Sequence, residues 1–545
     1  TLVFTFLGYQ DTEIPIKGQN HIKVVLKEDV QSLEEIVVVG YGAMRKQNLT
    51  GSVSSVNFDQ AMTSRPTMNL SSALTGLSAG LNISQTSGSP GAENMQILVR
   101  GQGTMNDASP LIIIDGIPGQ LNDVNPSDVE SVSVLKDAAS SSIYGSRAAN
   151  GVILVTTKKG DKSRLSVNYS GYVGWQSAAK KVDFINDMAA HIELVNGSYG
   201  RNVYDVNEIE KWRTQSAAGN PLYPNTDWYN EMLNTSLITE HNLTVRGGSD
   251  NSSYSLSLGY LDNKGVIDNS SYKKYSFRVN VDTNPTSWLN LGTNVSGLWS
   301  DRDPIDEKIF YSTIKSVVPG VIPKSADGRY GGNMFNGMAG DGENPRAYVD
   351  NIRGNYENQK IGLKVYGKIK FLKYFEWENS FGFNYNHKLD WVYSRPYTLW
   401  NFQKEIAYPI KNGPDDTLVN ATQRDYTTIF NALLRFNYSW KDKHNFSVLL
   451  GYDQQYNKMN MFDAKKKDIL GDDVIYVMDA GLDMVGINGS ATDDALMSYL
   501  GRINYNYKGK YLVEANARYD GSSRFARNNR WGFFPSFSAG WRITE

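Results

Sequence analysis

The sequence predicts an antiparallel β-barrel that spans a membrane, preceded by a compact domain of mixed α and β structure. After residue 160, segments of about ten residues alternate between apolar and polar side chains, which is typical of barrel strands. Of the 33 Tyr, 11 Trp and 20 Phe residues, six precede residue 161. The longest aliphatic runs, residues 36–39 and 111–114, are far shorter than the roughly 20 residues of a membrane-spanning helix.

Composition excludes several classes of function. The 545 residues carry 55 Lys and Arg against 57 Asp and Glu, a formal net charge of −2, which argues against a polycationic nucleic-acid binder. A hydrophobic fraction of 40% argues against wholesale disorder. Cysteine is absent, so a disulfide framework, a cysteine-ligated metal and a cysteine nucleophile are excluded.

The first 50 residues predict short strands followed by a linker. Residues 2–6 and 22–26 have the clearest strand pattern. No signal peptide opens the chain, and its first and last residues resemble the middle of strands, so we expect that both ends have been lost. Residues 31–50 form a polar linker with one apolar patch.

Residues 50–160 predict the compact α+β domain. Small residues alternate there with four short strand patterns, at 96–100, 111–115, 129–135 and 152–157. Asp115-Gly116 is a hairpin turn signal between two apolar runs.

After residue 160 the strands have one apolar and one polar face. The pattern is clearest in residues 254–260, 375–385, 430–440 and 511–519. A soluble sandwich could also use it, but the polar faces carry full charges in mid-strand, and this favours a barrel with a wet lumen. Those charges are Glu376, Glu378, Arg435 and Arg518.

The connections support the barrel and suggest about a dozen strands. Short turns at 441–444 and 508–510 alternate with long polar segments, which is the asymmetry expected of a barrel. The predicted long loops are residues 176–236, 301–358 and 457–495.

The sequence contains no recognisable catalytic motif. The five histidines are scattered, and neither a His-Glu-x-x-His pair nor a Gly-x-Ser-x-Gly turn occurs. Gly101-Gln-Gly103 is interpreted as a plain turn rather than a nucleotide site. The pair Asp493-Asp494 is interpreted as a solvated surface, with calcium binding as the minority alternative. We therefore predict no enzyme, no cofactor and no metal.

The apolar patch in the linker, residues 34–42, permits two interpretations. It is a β-branched run preceded by acids and followed by glycines. It could be an edge strand of the first domain. It could equally be a segment that pairs with the sheet edge of a partner protein, because an apolar strand alone in a linker must be covered.

Several motifs resemble those of SusC-type TonB-dependent outer-membrane transporters, the SusC/RagA-like family. Residues 35–42 and 48–52 are similar to the family's TonB box and the start of its plug domain. Residues 1–30 resemble the last strands of its carboxypeptidase-regulatory-like domain. The plug motifs follow at 99–101, 110–116, 125–131, 134–139 and 143–153, and barrel motifs at 519–525 and 530–536. The resemblance covers the whole chain.

The resemblance implies a domain order and a set of site residues. It implies a regulatory-like domain end at 1–30, a TonB box and linker at 31–45, a plug inside the lumen at 46–160, and barrel from 161 to 545. Family barrels have 22 strands, so about half are present here. The implied TonB box, which binds the partner TonB, is Glu35, Ile36, Val37, Val38, Val39 and Gly40. The implied plug-motif residues are Arg100, Gly101, Asp115, Gly116, Lys136, Asp137, Tyr144 and Arg147.

The resemblance also implies partners and a mechanism. The family imports a nutrient across the bacterial outer membrane, usually an oligosaccharide and sometimes a peptide. It works with TonB and with a SusD-like surface lipoprotein, in contact with outer-membrane lipid and without nucleic acid. The long loops are candidates for the lipoprotein contact. A surface β-barrel that binds or adheres without transport is the alternative, and it predicts that residues 31–45 are dispensable.

Two finer expectations concern individual side chains. The first is that plug charges pair with lumen-facing wall charges, with plug-internal roles as an equal alternative. Those plug charges are Arg100, Glu130, Lys136, Asp137 and Arg147. The second is that four loop tryptophans could stack on sugar rings, although packing is the favoured role of each. They are Trp212, Trp228, Trp391 and Trp400.

Overall fold

The computed structural model describes most of the chain in thirteen segments. They are residues 2–4, 12–14, 24–25, 36–45, 48–58, 68–93, 95–160, 164–179, 182–332, 344–409, 416–441, 443–471 and 476–543.

Two small antiparallel pairs precede the plug. β1 (Leu2–Phe4) pairs with β2 (Thr12–Ile14), and β3 (Ile36–Val38) pairs with β4 (Ala43–Arg45). Part of the strand expected at 22–26 is wrong, because Val24 and Val25 have no regular structure. The other residues of that segment lie outside the described residues.

The region 48–160 folds around a five-stranded mixed sheet. Its strands are β5 (Val53–Asn57), β8 (Leu111–Ile114), β9 (Ile117–Pro118), β10 (Val129–Leu135) and β11 (Val152–Thr157), and β6 (Leu81–Gln85) forms a separate hairpin with β7 (Met95–Val99). The order is β5-β10-β11-β8-β9, with β11 and β8 parallel. Two short helices, α1 (Leu70–Ala73) and α2 (Ala138–Ser141), and a 3-10 segment at Ser142–Ala148 complete the domain.

The apolar content of the central strands explains this core. β10 and β11 lie in the middle of the sheet, and their β-branched side chains are buried on both faces. Val132, Val134, Ile153 and Val155 pack with Phe58 in one cluster. The predicted strands are confirmed, those at 129–135 and 152–157 with the same bounds.

Beyond residue 160, twelve of the described strands form one antiparallel sheet in chain order. Its strands are β12 (Ser166–Gln176), β13 (Ser236–Gly248), β14 (Ser252–Lys264), β15 (Ser271–Thr286), β16 (Leu289–Arg302), β18 (Ile352–Phe371), β19 (Phe375–Ser394), β22 (Thr417–Trp440), β23 (His444–Ile469), β24 (Gly481–Tyr507), β25 (Tyr511–Ser522) and β26 (Trp531–Trp541). Three short loop strands, β17 (Tyr330–Gly331), β20 (Thr398–Asn401) and β21 (Ile406–Pro409), form a separate sheet. The expected number of about a dozen barrel strands is confirmed.

The alternation of faces is also confirmed. Outward side chains such as Phe381 and Leu258 are exposed, whereas Glu378 and Ser380 of the opposite face are buried. Rings collect on the outside near the short turns at 441–443 and 508–510. There Trp440, His444, Tyr507, Tyr511 and Trp541 follow one another with centroids 4.9–6.3 Å apart. Such a belt is typical of a membrane interface.

The sheet curves around the 48–160 domain. Asn125 of that domain donates to Asn242 on β13, whereas Ser142 bonds Ser536 on β26. Between these ends, Asp123 binds Lys360 on β18 and Pro118 accepts from Asn384 on β19. Contacts from the second strand to the last place this domain inside a partial barrel as its plug.

The two longest loops form a helical module beyond the strands. Its helices are α3 (Met188–Tyr199), α4 (Val206–Ala217), α5 (Trp228–Met232), α6 (Glu307–Ser316) and α7 (Pro345–Asp350). Asp187, Asp205, Asp227 and Asp306 cap the N-termini of α3 to α6. Trp212 and Phe310, both fully buried, lie in the common apolar cluster. None of the helices that the structure describes is long and apolar enough to cross a membrane.

Two predicted loop boundaries are wrong. The segment 457–495 is mostly strand, because β23 continues to Ile469 and β24 begins at Gly481. The loop expected to end at 358 ends earlier, where β18 begins at Ile352. Both segments are polar, and a strand that leaves the membrane no longer needs an apolar face.

Candidate functional site

The predicted TonB box forms a small hairpin. Ile36, Val37 and Val38 pair with Arg45, Met44 and Ala43 in turn. The amide of Val39 donates to the Gly42 carbonyl at 2.9 Å, and Gly40 closes the turn with φ of +47°. Glu35, the first residue of the predicted box, lies outside the described residues.

The hairpin is buried between plug and wall. Val37 and Val39 are 1% and 5% exposed. They pack with Ile143 and Tyr144 of the plug. They also pack with three wall residues, Leu433, Leu449 and Leu500. In this structure the parent fold covers the apolar patch, so a partner could pair with it only after it leaves this position.

The turn after the box is held by wall residue Arg435. Its Nη2 donates to the Tyr41 carbonyl at 2.8 Å, while its Nη1 binds Glu376 at 3.0 Å and Glu378 at 2.7 Å. The two carboxylates fix the orientation of the guanidinium. Arg435 therefore ties the box turn to β19 and β22.

Asp453 of β23 joins the box turn, the plug and the wall. It accepts a hydrogen bond from the Tyr41 hydroxyl at 3.4 Å and pairs with Arg147 at 3.7 Å and Arg518 at 3.3 Å. The Tyr41 ring stacks on Tyr144 with centroids 5.5 Å apart. Burial, and then the Asp453 carboxylate, raise the pKa of Tyr41 to about 12, so its hydroxyl stays protonated and able to donate.

The 3-10 segment of the plug rests directly on β25. Arg518 donates to the Ile143 carbonyl at 2.6 Å and binds Asp520 at 2.6 Å. Gly145 has φ of +68°, and an added Cβ would meet the Asp520 carboxylate. The predicted plug motif at 143–153, which includes Tyr144 and Arg147, therefore forms a contact between plug and wall.

Asp115 and Gly116 form a second contact. Both have positive φ, 50° and 88°, as a tight hairpin turn between β8 and β9 requires. The Asp115 carboxylate accepts from the amide and hydroxyl of Thr157 at 2.9 and 2.8 Å, and it pairs with Arg278 of β15 at 3.5 Å. Lys364 of β18 donates to the Asp115 carbonyl at 2.7 Å.

The other predicted motif residues serve the plug itself. Asp137 accepts from the Ser52 amide at 2.6 Å and from the Ser140 amide at 2.8 Å. Burial alone would raise the pKa of Asp137, but hydrogen bonds from Ser140 and Ser52 outweigh it, so the pKa lies below its ordinary value. Lys136 donates to the Ala79 carbonyl. Arg100 and Gly101, with φ of 60° and 93°, make an exposed turn.

The expected pairing of plug and wall charges holds in part. Arg147 binds the wall, but its partner is Asp453 rather than one of the four wall charges named from the sequence. Lys136 and Asp137 bind within the plug, and Glu130 is exposed. Glu376, Glu378 and Arg435 pair with one another, and Arg435 also bonds the Tyr41 carbonyl of the box turn. Arg518 pairs with Asp453 and Asp520 and donates to the Ile143 carbonyl of the plug. Asp453, Arg278, Lys360 and Lys364 were missed, although each lies on the polar face of an alternating strand.

Two cavities lie between plug and wall. One of about 250 Å³ is lined by Gln120, Lys360 and Asn384, and one of about 320 Å³ by Tyr41, Lys364 and Arg435. They reach only the lower end of the volumes typical of small-ligand sites.

The four loop tryptophans differ in their surroundings. Trp212 and Trp228 are 0% and 4% exposed inside the helical module, so neither offers a ring to a sugar. Trp391 contacts Tyr476, and Trp400 stacks on Arg329.

No group of His, Asp and Glu in the described part of the chain is arranged to hold a metal ion. Asp494 binds Arg524 and Asn457, and Asp493 accepts from Tyr456.

Comparison with known proteins agrees with this architecture. Residues 45–152 match the TonB-dependent Receptor Plug Domain family. The whole chain is 31% identical to TonB-dependent receptor P3 of Formosa agariphila, covering 52% of it. It is 30% identical to TonB-dependent receptor SusC of Bacteroides thetaiotaomicron, covering 54%. The chain thus spans about half the length of these curated relatives.

Solved structures share the fold. The RagAB peptide importer in its open-open state superposes with a TM-score of 0.78 at 23% identity, over 94% of this chain and 59% of that one. The ferric citrate transporter FecA superposes with a TM-score of 0.53 at 9% identity, over 90% of this chain and 60% of that one. The similarity extends to plug and wall together.

Proposed function

Since the resemblance to SusC-type TonB-dependent transporters of the bacterial outer membrane is confirmed, we propose that the protein imports a nutrient by TonB-dependent transport. The observation that carries the proposal is the burial of the box hairpin between plug and wall. A pull on this segment would act on Tyr41, and through Tyr41 on the contacts of Asp453 with the plug. The proposal divides the chain at residues 30, 45 and 160, as the sequence predicts.

The box is proposed to pair with TonB through its main chain, as an added strand. Val38→Pro removes an amide donor and fixes φ, whereas Val38→Ala keeps both the donor and the freedom. Binding of the purified periplasmic domain of TonB to the protein in detergent should weaken at least about tenfold for Val38→Pro and stay within about twofold for Val38→Ala. Nutrient uptake by cells that carry Val38→Pro should fall as well, while the amount of the protein in the outer membrane stays unchanged.

Equal uptake by the two Val38 variants would contradict energised import. It would favour the alternative of a surface barrel that binds or adheres without transport, in which residues 31–45 are dispensable.

The cargo is proposed to be an oligosaccharide, with an oligopeptide as the alternative. Uncharged amide and hydroxyl groups of the wall face the first plug–wall cavity, among them Asn294, Ser296, Asn384 and Asn386, and such groups suit hydroxyl-rich ligands. The peptide alternative is supported by the fold shared with the RagAB peptide importer. Cells expressing the protein should accumulate a fluorescent oligosaccharide pool faster than a fluorescent peptide pool. The opposite preference would select the peptide.

A SusD-like surface lipoprotein is proposed to cover the extracellular mouth. The helical module offers it a surface beyond the membrane, and so do the ends of β22 to β24 that lie away from the short turns. Affinity purification of the protein from its own outer membranes should retain a lipoprotein at a fixed ratio. Purification of the protein alone, under conditions that preserve the barrel, would contradict this partnership.

A further inference from the structure

The outward face of the wall carries a ladder of five aromatic rings on five neighbouring strands. The ladder begins on β12 and ends on β16, and neighbouring ring centroids lie 5.0–6.2 Å apart. Its rings are those of Tyr169, His241, Tyr260, Tyr275 and Trp299. Trp299 lies close to the end of β16, from which the chain enters the helical module. The ladder therefore lies toward the end of the wall opposite the short turns.

The polar tips of two of these rings show how the ladder sits in a membrane. The indole Nε1 of Trp299 donates to Glu357 at 2.9 Å, and the hydroxyl of Tyr260 donates to Asp262 at 3.5 Å. Both acids lie one step nearer the loops on the same face of the sheet. Interfacial rings hold the polar tip toward the headgroups and the ring body toward the acyl chains. The ladder is therefore the extracellular interface belt, since short turns are periplasmic in outer-membrane barrels.

A groove of about 680 Å³ runs along this face beside the ladder, on the side of the acyl chains. Gly297 of β16 has no side chain to fill the position between its strand partners. The ring of Phe277 leans over Gly297, where an added Cβ would meet it, so the ring lies along the wall instead of standing out from it. The ladder borders the groove on one side. Its other outward apolar side chains, which are 37–51% exposed, are Leu243, Leu258, Phe277 and Ile361.

The groove offers an occupant mainly hydrocarbon and ring surface. Lys360 borders it too, but the Lys360 ammonium group points inward and binds Asp123 of the plug at 2.7 Å. The volume lies within the roughly 300–1,000 Å³ of ordinary ligand sites. A strand added at either edge of the sheet would extend the wall sideways and would not cover this face. The position in the hydrocarbon layer, next to the extracellular belt, identifies the occupant as an acyl chain of that leaflet.

We propose that the groove binds one acyl chain of the glycolipid of the extracellular leaflet, whose sugar headgroup lies beyond the ring ladder. A flat stretch of wall touches a chain on one side only, whereas the groove touches it on its floor and along the rings. Because dispersion attraction grows with the number of neighbouring atoms, this chain should stay bound longer than other lipids around the barrel. The inference is independent of the cargo and of TonB.

The test counts the lipids that stay on the full-length protein. The protein is purified in detergent, freed of lipid, mixed with purified lipid A and measured by native mass spectrometry at rising collision energy. We expect one lipid A to remain after all others have been removed. Leu258→Trp fills the groove and should lower the retained fraction at least about tenfold. Val365→Trp adds the same ring at an outward position outside the groove, 42% exposed, and should change the fraction by less than about twofold.

Equal retention by the two variants would overturn the proposal, because it would mean that lipid only surrounds the barrel without a site. Loss of all lipid A from the unaltered protein in a single step would overturn it too. If Leu258→Trp lacks the heat-modifiable migration of a folded barrel, Ile361→Trp fills the groove from β18 and must give the same loss.

A second experiment identifies the occupant in intact cells. A photo-crosslinking residue replaces Leu243, which also lines the groove, and the mass of the adduct is measured. We expect an adduct with lipid A. An adduct with a phospholipid, or with a second copy of this chain, would overturn the proposal. Neither experiment measures uptake or TonB binding, so failure here is distinguishable from failure of the import proposal.

Discussion

At the scale of single residues, the plug is held in the wall by buried charge. Asp453 is 3% exposed and receives Arg147 from the plug, Arg518 from the wall and the Tyr41 hydroxyl from the box turn. Each of these groups has lost water, so each depends on the others for compensation. One carboxylate thus couples three parts of the molecule.

Replacing Asp453 should loosen the plug. Asp453→Asn keeps the shape but takes the carboxylate partner from Arg147 and leaves Asp520 as the counter-charge of Arg518, at a cost of about 3 kcal/mol. Asp494→Asn breaks an ion pair whose partner, Arg524, is well exposed, and should cost less than about 1 kcal/mol. In planar bilayers the full-length Asp453→Asn protein should show many more channel openings than the Asp494→Asn control. If both variants show equally few channel openings, Asp453 does not hold the plug.

Gly145 makes a second residue-level prediction. Its φ is positive, and a Cβ would meet Asp520 and approach Arg518 Nε at 2.8 Å. Gly76 has a similar φ of +77° and open space around it. Gly145→Ala should therefore destabilise plug seating by about 1–3 kcal/mol more than Gly76→Ala, as read from the rate of plug cleavage by protease. Similar rates for the two variants would show that the close approach to the wall is not needed.

At the scale of elements, the box hairpin is restrained by the bonds of Arg435 at its turn as well as by the apolar packing of Val37 and Val39. Arg435→Gln removes the hydrogen bond to the Tyr41 carbonyl, and the purified TonB domain should then bind more tightly in the absence of cargo. Lys368→Gln is the matched control, since Lys368 also approaches Glu378, at 3.9 Å, without touching the box. If both variants bind TonB like the unaltered protein, Arg435 does not restrain the box.

The helical module is stabilised by its own core. Trp212→Ala removes a fully buried ring and should destabilise the module by about 3–5 kcal/mol. Trp400→Ala, at a half-buried ring outside that cluster, should have a much smaller effect. Protease cleavage within residues 177–235 measures the difference. A Trp212→Ala protein that resists cleavage but loses cargo binding would restore the sugar-stacking role that burial argues against.

At the scale of the whole molecule, alternation allowed the wall to be predicted. Phe381 and Glu378 were assigned to opposite faces from their spacing alone, because successive side chains on a regular strand point to opposite faces. The plug strands were equally readable, since β8 and the first four residues of β11 are continuous apolar runs. The hairpin formed by β23 and β24 was missed because above the membrane its polar, glycine-containing sequence looks like a loop.

Pairings between plug and wall were less accessible to sequence reasoning. Arg147 was named correctly as a candidate, but its partner Asp453 lies 306 positions away, and the curvature of the sheet decides which lumen-facing charge it meets. The tryptophans failed for a related reason. Trp212 lies in a segment with loop-like composition that folds into helices with a shared core.

The most direct measurement asks whether the plug sits inside the wall in living outer membranes. The chain has no cysteine, so paired substitutions report cleanly. The Ser142 and Ser536 hydroxyl oxygens, from plug and β26, are 2.7 Å apart, as are those of Ser54 and Ser78 within the plug. Ser142→Cys with Ser536→Cys should form a disulfide in intact cells as readily as the Ser54→Cys and Ser78→Cys control. Free, maleimide-reactive thiols at 142 and 536 beside a formed control disulfide would contradict the account.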